Sequence, residues 1–194
     1  MNRILYWLTI LGLAILIIIG GVFYINYSTD AYLKSIVENL GIQAEIRSNG
    51  HFTFSCIEGK LFNHTFHCYP LHEHRTDYTR LELDFDFDKN FILEVHLARA
   101  GYKTSLHTFS TGNPSFDELF VIYTNQLHTA EKIIDTEVQK ALLKNHDLVY
   151  HSIYIKKNKL SCKLERHFFD GASIKDLKNT MPIIQRISQN MDNL

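Results

Sequence analysis

ILYWLTILGLAILIIIGGVFYI, residues Ile4 to Ile25, carries no charged side chain and sets the plan of the chain. As a helix rising about 1.5 Å per residue it reaches roughly 33 Å, enough to cross a bilayer core of about 30 Å. A cleaved signal peptide has a shorter apolar region followed by small residues, whereas this run ends in Val22-Phe23-Tyr24-Ile25-Asn26-Tyr27. Tyr6, Trp7, Tyr24 and Tyr27 stand near its two ends, where amphipathic rings favour the headgroup level. The reading is an uncleaved anchor over residues 1–27 and one exported domain over 28–194. Arg3 and the α-amino group flank one end, and Asp30, Lys34 and Glu38 the other, which orients the N-terminus inward. No second apolar run of that length brings the chain back.

Outside the anchor, the size suits a single domain with a core of its own. Setting Arg3 aside leaves 19 of the 20 basic residues against 21 acidic ones, with no long block of one sign, which argues against nucleic acid as a partner. Cys56, Cys68 and Cys162 are too few for a disulfide framework. Buried free thiols are expected, with a bridge from Cys162 to Cys56 or Cys68 as the alternative.

Immediately after the anchor, Tyr32, Leu33, Ile36, Val37 and Leu40 recur at helical spacing until Gly41 ends the pattern. This stripe either packs on the domain's own sheet or continues the anchor as a stalk with a dimer seam. Strands follow. Ile42, Ala44 and Ile46, then Phe52, Phe54 and Cys56, then Phe62, Phe66 and Cys68 alternate with mainly polar residues. Turns fall at Asn49-Gly50 and at Glu58-Gly59-Lys60, and the second pairs Phe54 with His64 and Cys56 with Phe62. Arg80 to Asp88 places Leu81, Leu83, Phe85 and Phe87 on one face and charges on the other. Folding it back through Asp88-Lys89-Asn90 onto Phe91 to Leu97 sets Leu83 opposite Val95 and Asp84 opposite Glu94.

Lys103 to Phe109 reads as a further strand, broken by Gly112-Asn113-Pro114. Then come a short strand at Phe120 to Tyr123, a helix from Leu127 to Ile134, and Asp135 capping a helix over Thr136 to Lys144. Val149 to Lys156 and Leu160 to Arg166 form a hairpin about Lys157-Asn158-Lys159. Ser173 caps a last amphipathic helix that Pro182 should kink. The expected fold class is α+β, an N-terminal transmembrane helix followed by a mainly antiparallel sheet with covering helices.

Gly112-Asn113-Pro114-Ser115-Phe116-Asp117, a short helix, Asp135-Thr136-Glu137-Val138 opening the next helix, a hairpin and a closing amphipathic helix resemble a group of uncharacterised, membrane-anchored bacterial proteins. That group's pattern is Gly-Asp-Pro-x-Phe-Asp, and its second helix opens Thr-Pro-Glu. Asn113 and Asp135-Thr136 depart from it while keeping turn and capping chemistry. The resemblance covers Gly112 to Met191, implies fold and a bacterial envelope location, and implies no activity. Asp117 reads there as structural.

Histidine is abundant, and His64, His67, Cys68, His72 and His74, with Glu73 among them, crowd one strand-rich stretch. Imidazole and thiolate suit a transition metal, which makes these five residues the candidate ligands. Strand alternation turns His64 and Cys68 one way and His67 the other, so an exposed polar strand end with no cofactor is the competing reading. Glu82, Asp84, Asp86 and Glu94 converge on one face; a hard cation would relieve their repulsion, and so would solvent or lysines of the last helix. No G-x-S-x-G, P-loop or H-E-x-x-H occurs, so the motifs weigh against an enzyme and name no catalytic residue. The functional expectation is a single-pass membrane protein whose exported domain is a binding or scaffolding module. It would lie in a bacterial inner membrane with its C-terminal domain in the periplasm. Its partners would be the lipid bilayer and either another protein or a second copy of itself. The alternative is a metal-dependent activity at the histidine cluster.

Overall fold

The computed structural model describes residues 2–47, 55–73, 76–98, 104–146, 150–165 and 171–194. Helix α1 runs without a break from Asn2 to Leu40. Its apolar residues from Ile10 to Ile19 stand exposed, whereas Leu33 and Ile36 are fully buried in the domain core. The stripe after the anchor thus packs on the domain's own core. Gly41 ends the helix at φ 62°, with its N–H donating to Glu38 O and the Ile42 N–H reaching back to Val37 O. A left-handed residue carrying these two bonds satisfies the last carbonyls, and glycine adopts it without a Cβ penalty.

The described strands are β1 (Ala44–Arg47), β2 (Cys56–Leu61), β3 (His64–Glu73), β4 (Thr76–Asp84), β5 (Ile92–Leu97), β6 (His107–Phe109), β7 (Phe120–Thr124), β8 (Tyr150–Lys156) and β9 (Lys159–Glu165). They form one antiparallel sheet in the order β1-β2-β3-β4-β9-β8-β5-β7-β6. Helices α2 (Pro114–Leu119), α3 (Leu127–Ile133), α4 (Thr136–Lys144) and α5 (Gly171–Asp192) join α1 around the core. Phe66, Leu81, Leu83, Leu93, Val95, Ile122, Ile153, Ile155 and Leu160 supply the apolar side of the sheet. The α+β class and the mainly antiparallel sheet stand as the alternation implies.

Two registers differ from those the sequence suggests. The β2–β3 turn lies at Phe62-Asn63, with φ 52° and 68°, so Ile57 faces Cys68 and Gly59 faces Phe66. Gly59 is needed inside the strand, because a Cβ there would lie 2.4 Å from Gln43 O and 2.7 Å from Ala44 Cβ. Ile57 in turn takes the buried position, and Cys56 moves to the opposite, half-buried face. Phe52, Phe54 and the Asn49-Gly50 turn lie outside the described residues.

The second difference is larger. β4 and β5 are not paired: the β8–β9 hairpin enters between them, with Leu81 opposite Cys162, Leu83 opposite Leu160, and Val95 opposite Ile153. The inward faces of β4 and β5 are as the alternation requires. The inserted strands share that alternation, so pairing with β8 and β9 buries the same side chains and replaces one ladder of hydrogen bonds with two. That hairpin turns at Lys157-Asn158, both at positive φ as a type I′ turn requires, and Lys159 already belongs to β9.

Lys103 and Val149 lie outside the described residues, and the strand near Lys103 is confined to His107–Phe109. Helix α5 begins at Gly171, which puts Ser173 inside its first turn instead of at its cap, and it continues through Pro182. Pro182 is exposed, and so is Lys178, whose carbonyl loses its intrahelical donor and can be met by water instead.

Candidate functional site

The loop that carries the Gly-Asn-Pro-x-Phe-Asp segment is built for structure. Asn113 caps α2, its side chain accepting from the Phe116 N–H, and Pro114 takes the first helical position, where no N–H is needed. The Asp117 carboxylate accepts from the Ser110 hydroxyl (2.7 Å), the Thr111 amide (3.0 Å) and hydroxyl (2.9 Å), and the Gly112 amide (3.2 Å). Partial burial works against its ionisation, but these bonds outweigh it and hold the acid below the usual carboxylate range. Every oxygen lone pair that could act on a substrate is engaged in closing the loop. Asp135 plays a similar part: it caps α4 through the Val138 N–H (2.9 Å) and receives Arg186 of α5 at 2.6 Å.

The histidine stretch is split by the sheet. His64 lies on the core side, its ring 4.0 Å from that of Phe85 and its Nε2 3.1 Å from an Asp192 carboxylate oxygen. Cys68 is buried on that side, and burial, with a further contribution from Cys56, pushes its thiol up to about 12. His67 projects to the other face, 3.5 Å from Asp84. His72 is placed in β3 by its backbone, opposite Asp77, and His74 lies outside the described residues. Among the described residues no three histidine, cysteine or acidic side chains stand close enough together to hold a metal. The thiols are free, with Cys68 and Cys162 two strands apart on either side of Leu81. At about 4.8 Å per strand that separation is too wide for a disulfide.

The face of the sheet opposite the core carries an arrangement that the sequence did not disclose. Glu45, Glu58, His67, Glu82, Ser161, Tyr154, Glu94, Tyr123 and Thr108 are successive cross-strand partners, one from each strand in order. They make a transverse polar row of roughly 38 Å at about 4.8 Å per strand. Like charges directly opposite repel, and Glu45 opposite Glu58 is such a pair. Cations two residues away on the strands relieve this: Arg47 meets Glu58 at 2.9 Å, Arg80 meets Glu82 at 2.8 Å, and Lys159 lies 3.4 Å from Glu82 and 3.0 Å from Asp84. The cations come from β1, β4 and β9, not from the last helix. Asp84 is opposite Thr65 and Lys159, and it is Glu82 that shares a row with Glu94.

The row passes through two concave regions. One, of about 450 Å³, is lined by Arg80, Glu82, Glu94, Tyr154, Lys156, Lys157, Lys159, Ser161 and Lys163. The other, of about 680 Å³, lies over β1 and β2 near Arg47, Glu58 and Lys60. In the smaller one, Glu82 and Glu94 are almost buried, and Arg80 donates to the Ser161 hydroxyl at 3.0 Å. Beside Glu94, His96 Nε2 lies 3.3 Å from its carboxylate, with the Tyr154 ring 5.3 Å away edge-on. Tyr69 borders the row; burial and then Glu82 push its hydroxyl up to about 12, so it stays a donor. The every-second-residue pattern of Lys159, Ser161 and Lys163 was a legible signal for this face. Which strand it would lie beside was not.

Neither a family model nor a curated protein matches this chain. Among solved structures it is similar to the crystal structure of the mycobacterial trehalose monomycolate transport factor A, TtfA, with a TM-score of 0.59 over 84% of this chain and 96% of that one. The likeness is one of fold. At 11% identity it carries no residue of one protein onto the other.

Proposed function

We propose that the chain is a single-pass membrane protein of the bacterial envelope whose exported α+β domain is a binding or scaffolding module. In this reading the N-terminus is cytoplasmic and residues 28–194 are periplasmic. The observation that carries it is α1. One continuous helix leaves Leu16, Ile17 and Ile18 about two-thirds exposed, yet sinks Leu33 and Ile36 completely into the domain. Exposed apolar side chains over several turns are costly in water and at home in lipid. With no break in the helix between span and core, the domain's orientation follows that of the span, a geometry suited to presenting one face to a partner. The similarity of fold to a protein named as a transport factor, and the resemblance to membrane-anchored bacterial proteins, support the same setting.

The test is a pair of C-terminal reporters. One that matures only outside the cytoplasm should be active, and one that works only inside should be silent. The reverse pattern, or a mature chain that begins beyond Ile25, would overturn the reading. Crosslinking in intact membranes should recover a protein partner or a second copy of the chain.

A further inference from the structure

We propose that the 450 Å³ cleft on the polar face binds a phosphate group, free or carried by a lipid headgroup, at its Lys156-Lys157-Lys159 end. This deepens the reading of the domain as a binding module, and rests on it, by naming the chemistry of the ligand. Five cations line the cleft and two carboxylates do. Three of the cations are matched within the fold: Arg80 by Glu82, Lys163 by Glu73 at 2.5 Å, and Lys159 by Asp84 and Glu82. Lys156 and Lys157 have no acidic partner among the described residues, and both are exposed.

The register sharpens the point. Lys156 is the direct cross-strand partner of Lys159, and like charges in that position work against the hairpin. At the comparable acidic pair, Glu45 and Glu58, the chain supplies Arg47. For Lys156 the described residues supply no counter-charge, so an anion from outside would satisfy what the fold leaves open. A phosphate, with several acceptor oxygens, is the matching partner for several ammonium donors. The nearly buried Glu82 and Glu94 would keep its charge at the turn end, leaving the rest of the ligand to lie along the row against the Ser161 hydroxyl and Tyr154. The volume falls in the range of small-ligand clefts, roughly 300 to 1,000 Å³.

The test uses the full chain in nanodiscs of phosphatidylcholine. Lysine acylation is followed by mass spectrometry with two probes, inorganic phosphate and added vesicles of phosphatidylglycerol, with phosphatidylcholine vesicles as the control. Lys156, Lys157 and Lys159 should be acylated several-fold more slowly with a binding probe, while Lys140 and Lys175 keep their rates. In Lys156→Gln, Lys157→Gln, both exposed and compatible with folding, protection of Lys159 should need about tenfold more probe, and Lys156→Arg should retain wild-type binding. Protection by phosphate assigns a soluble ligand, and protection by phosphatidylglycerol alone assigns a lipid headgroup. No protection by either probe, or protection of Lys159 unchanged in the double variant, would overturn the proposal. Active export reporters beside a cleft that binds neither probe would leave the anchored module standing and remove only its anionic ligand.

Discussion

Gly59 and Asp135 show how single positions hold this fold. Any Cβ at Gly59 meets β1 backbone, which has no rotamer to yield, so Gly59→Val should pry the edge strand away. The expected cost is about 1 to 3 kcal/mol, the range of overpacked interiors, read as a lower denaturant midpoint. Asp135→Ala removes both the α4 cap and the acceptor of Arg186, and should cost about 1 to 2 kcal/mol at neutral pH. Burial opposes ionisation of Asp135, but the Val138 amide, Arg186 and Asn190 lower its pKa below the ordinary value. Its contribution is therefore complete above about pH 3.9, the unfolded value, and fades as pH falls through the lower folded value. Denaturation curves of wild type and variant should converge in acid; a gap that persists there would mean the cap contributes nothing through charge.

At the scale of elements, α1 serves two solvents. Its first part is apolar all round, as lipid contact requires, and its last turns are amphipathic, as contact with a sheet requires. Leu33→Asp would put an unpaired charge into the core from the part of the helix that follows the charge-free run. It should cost several kcal/mol, on the scale of an uncompensated buried charge, and lower the thermal midpoint of the domain with membrane insertion unchanged. The β8–β9 hairpin makes a second prediction. Glu82→Cys with Ser161→Cys, direct partners in the sheet, should form a disulfide under oxidation in a chain whose native cysteines are replaced. Leu83→Cys with Val95→Cys, separated by two strands, should not, and the reverse result would restore a direct β4–β5 pairing.

For the whole molecule, the decisive asymmetry lies between the two faces of the sheet. Helices cover one, while the other carries a polar row containing four glutamates, with cations to either side and two concave regions along it. Lys159 sits in the middle of this network. Burial opposes its charge, but Asp84 and Glu82 more than offset this and raise its pKa. Its stabilising part is then whole below the unfolded lysine value, near 10.4, and is lost as pH rises through the higher folded value. Lys159→Met should be destabilising at pH 7 and progressively less so above about pH 10.4, as seen in denaturant midpoints across that range.

Local chemistry settled much of this protein before any tertiary contact is considered. The charge-free run of Ile4 to Ile25, the Gly41 stop, the Asp135 cap, the turn at Lys157-Asn158 and the inward faces of Leu81 to Phe85 and Leu93 to Val95 each follow from a period or a backbone preference carried by adjacent residues. What the sequence left open were matters of partnership. Alternation says which side chains point inward but not which strand lies alongside, since any two strands of equal period can pair. Only the fold could choose β9 over β5 as the neighbour of β4 and make Gly59 a point of close approach instead of a turn, whereas alternation alone already set His64 and His67 on opposite faces. The polar row belongs to the same class of fact: its members come from nine separate strands, and no spacing along the chain records that they meet.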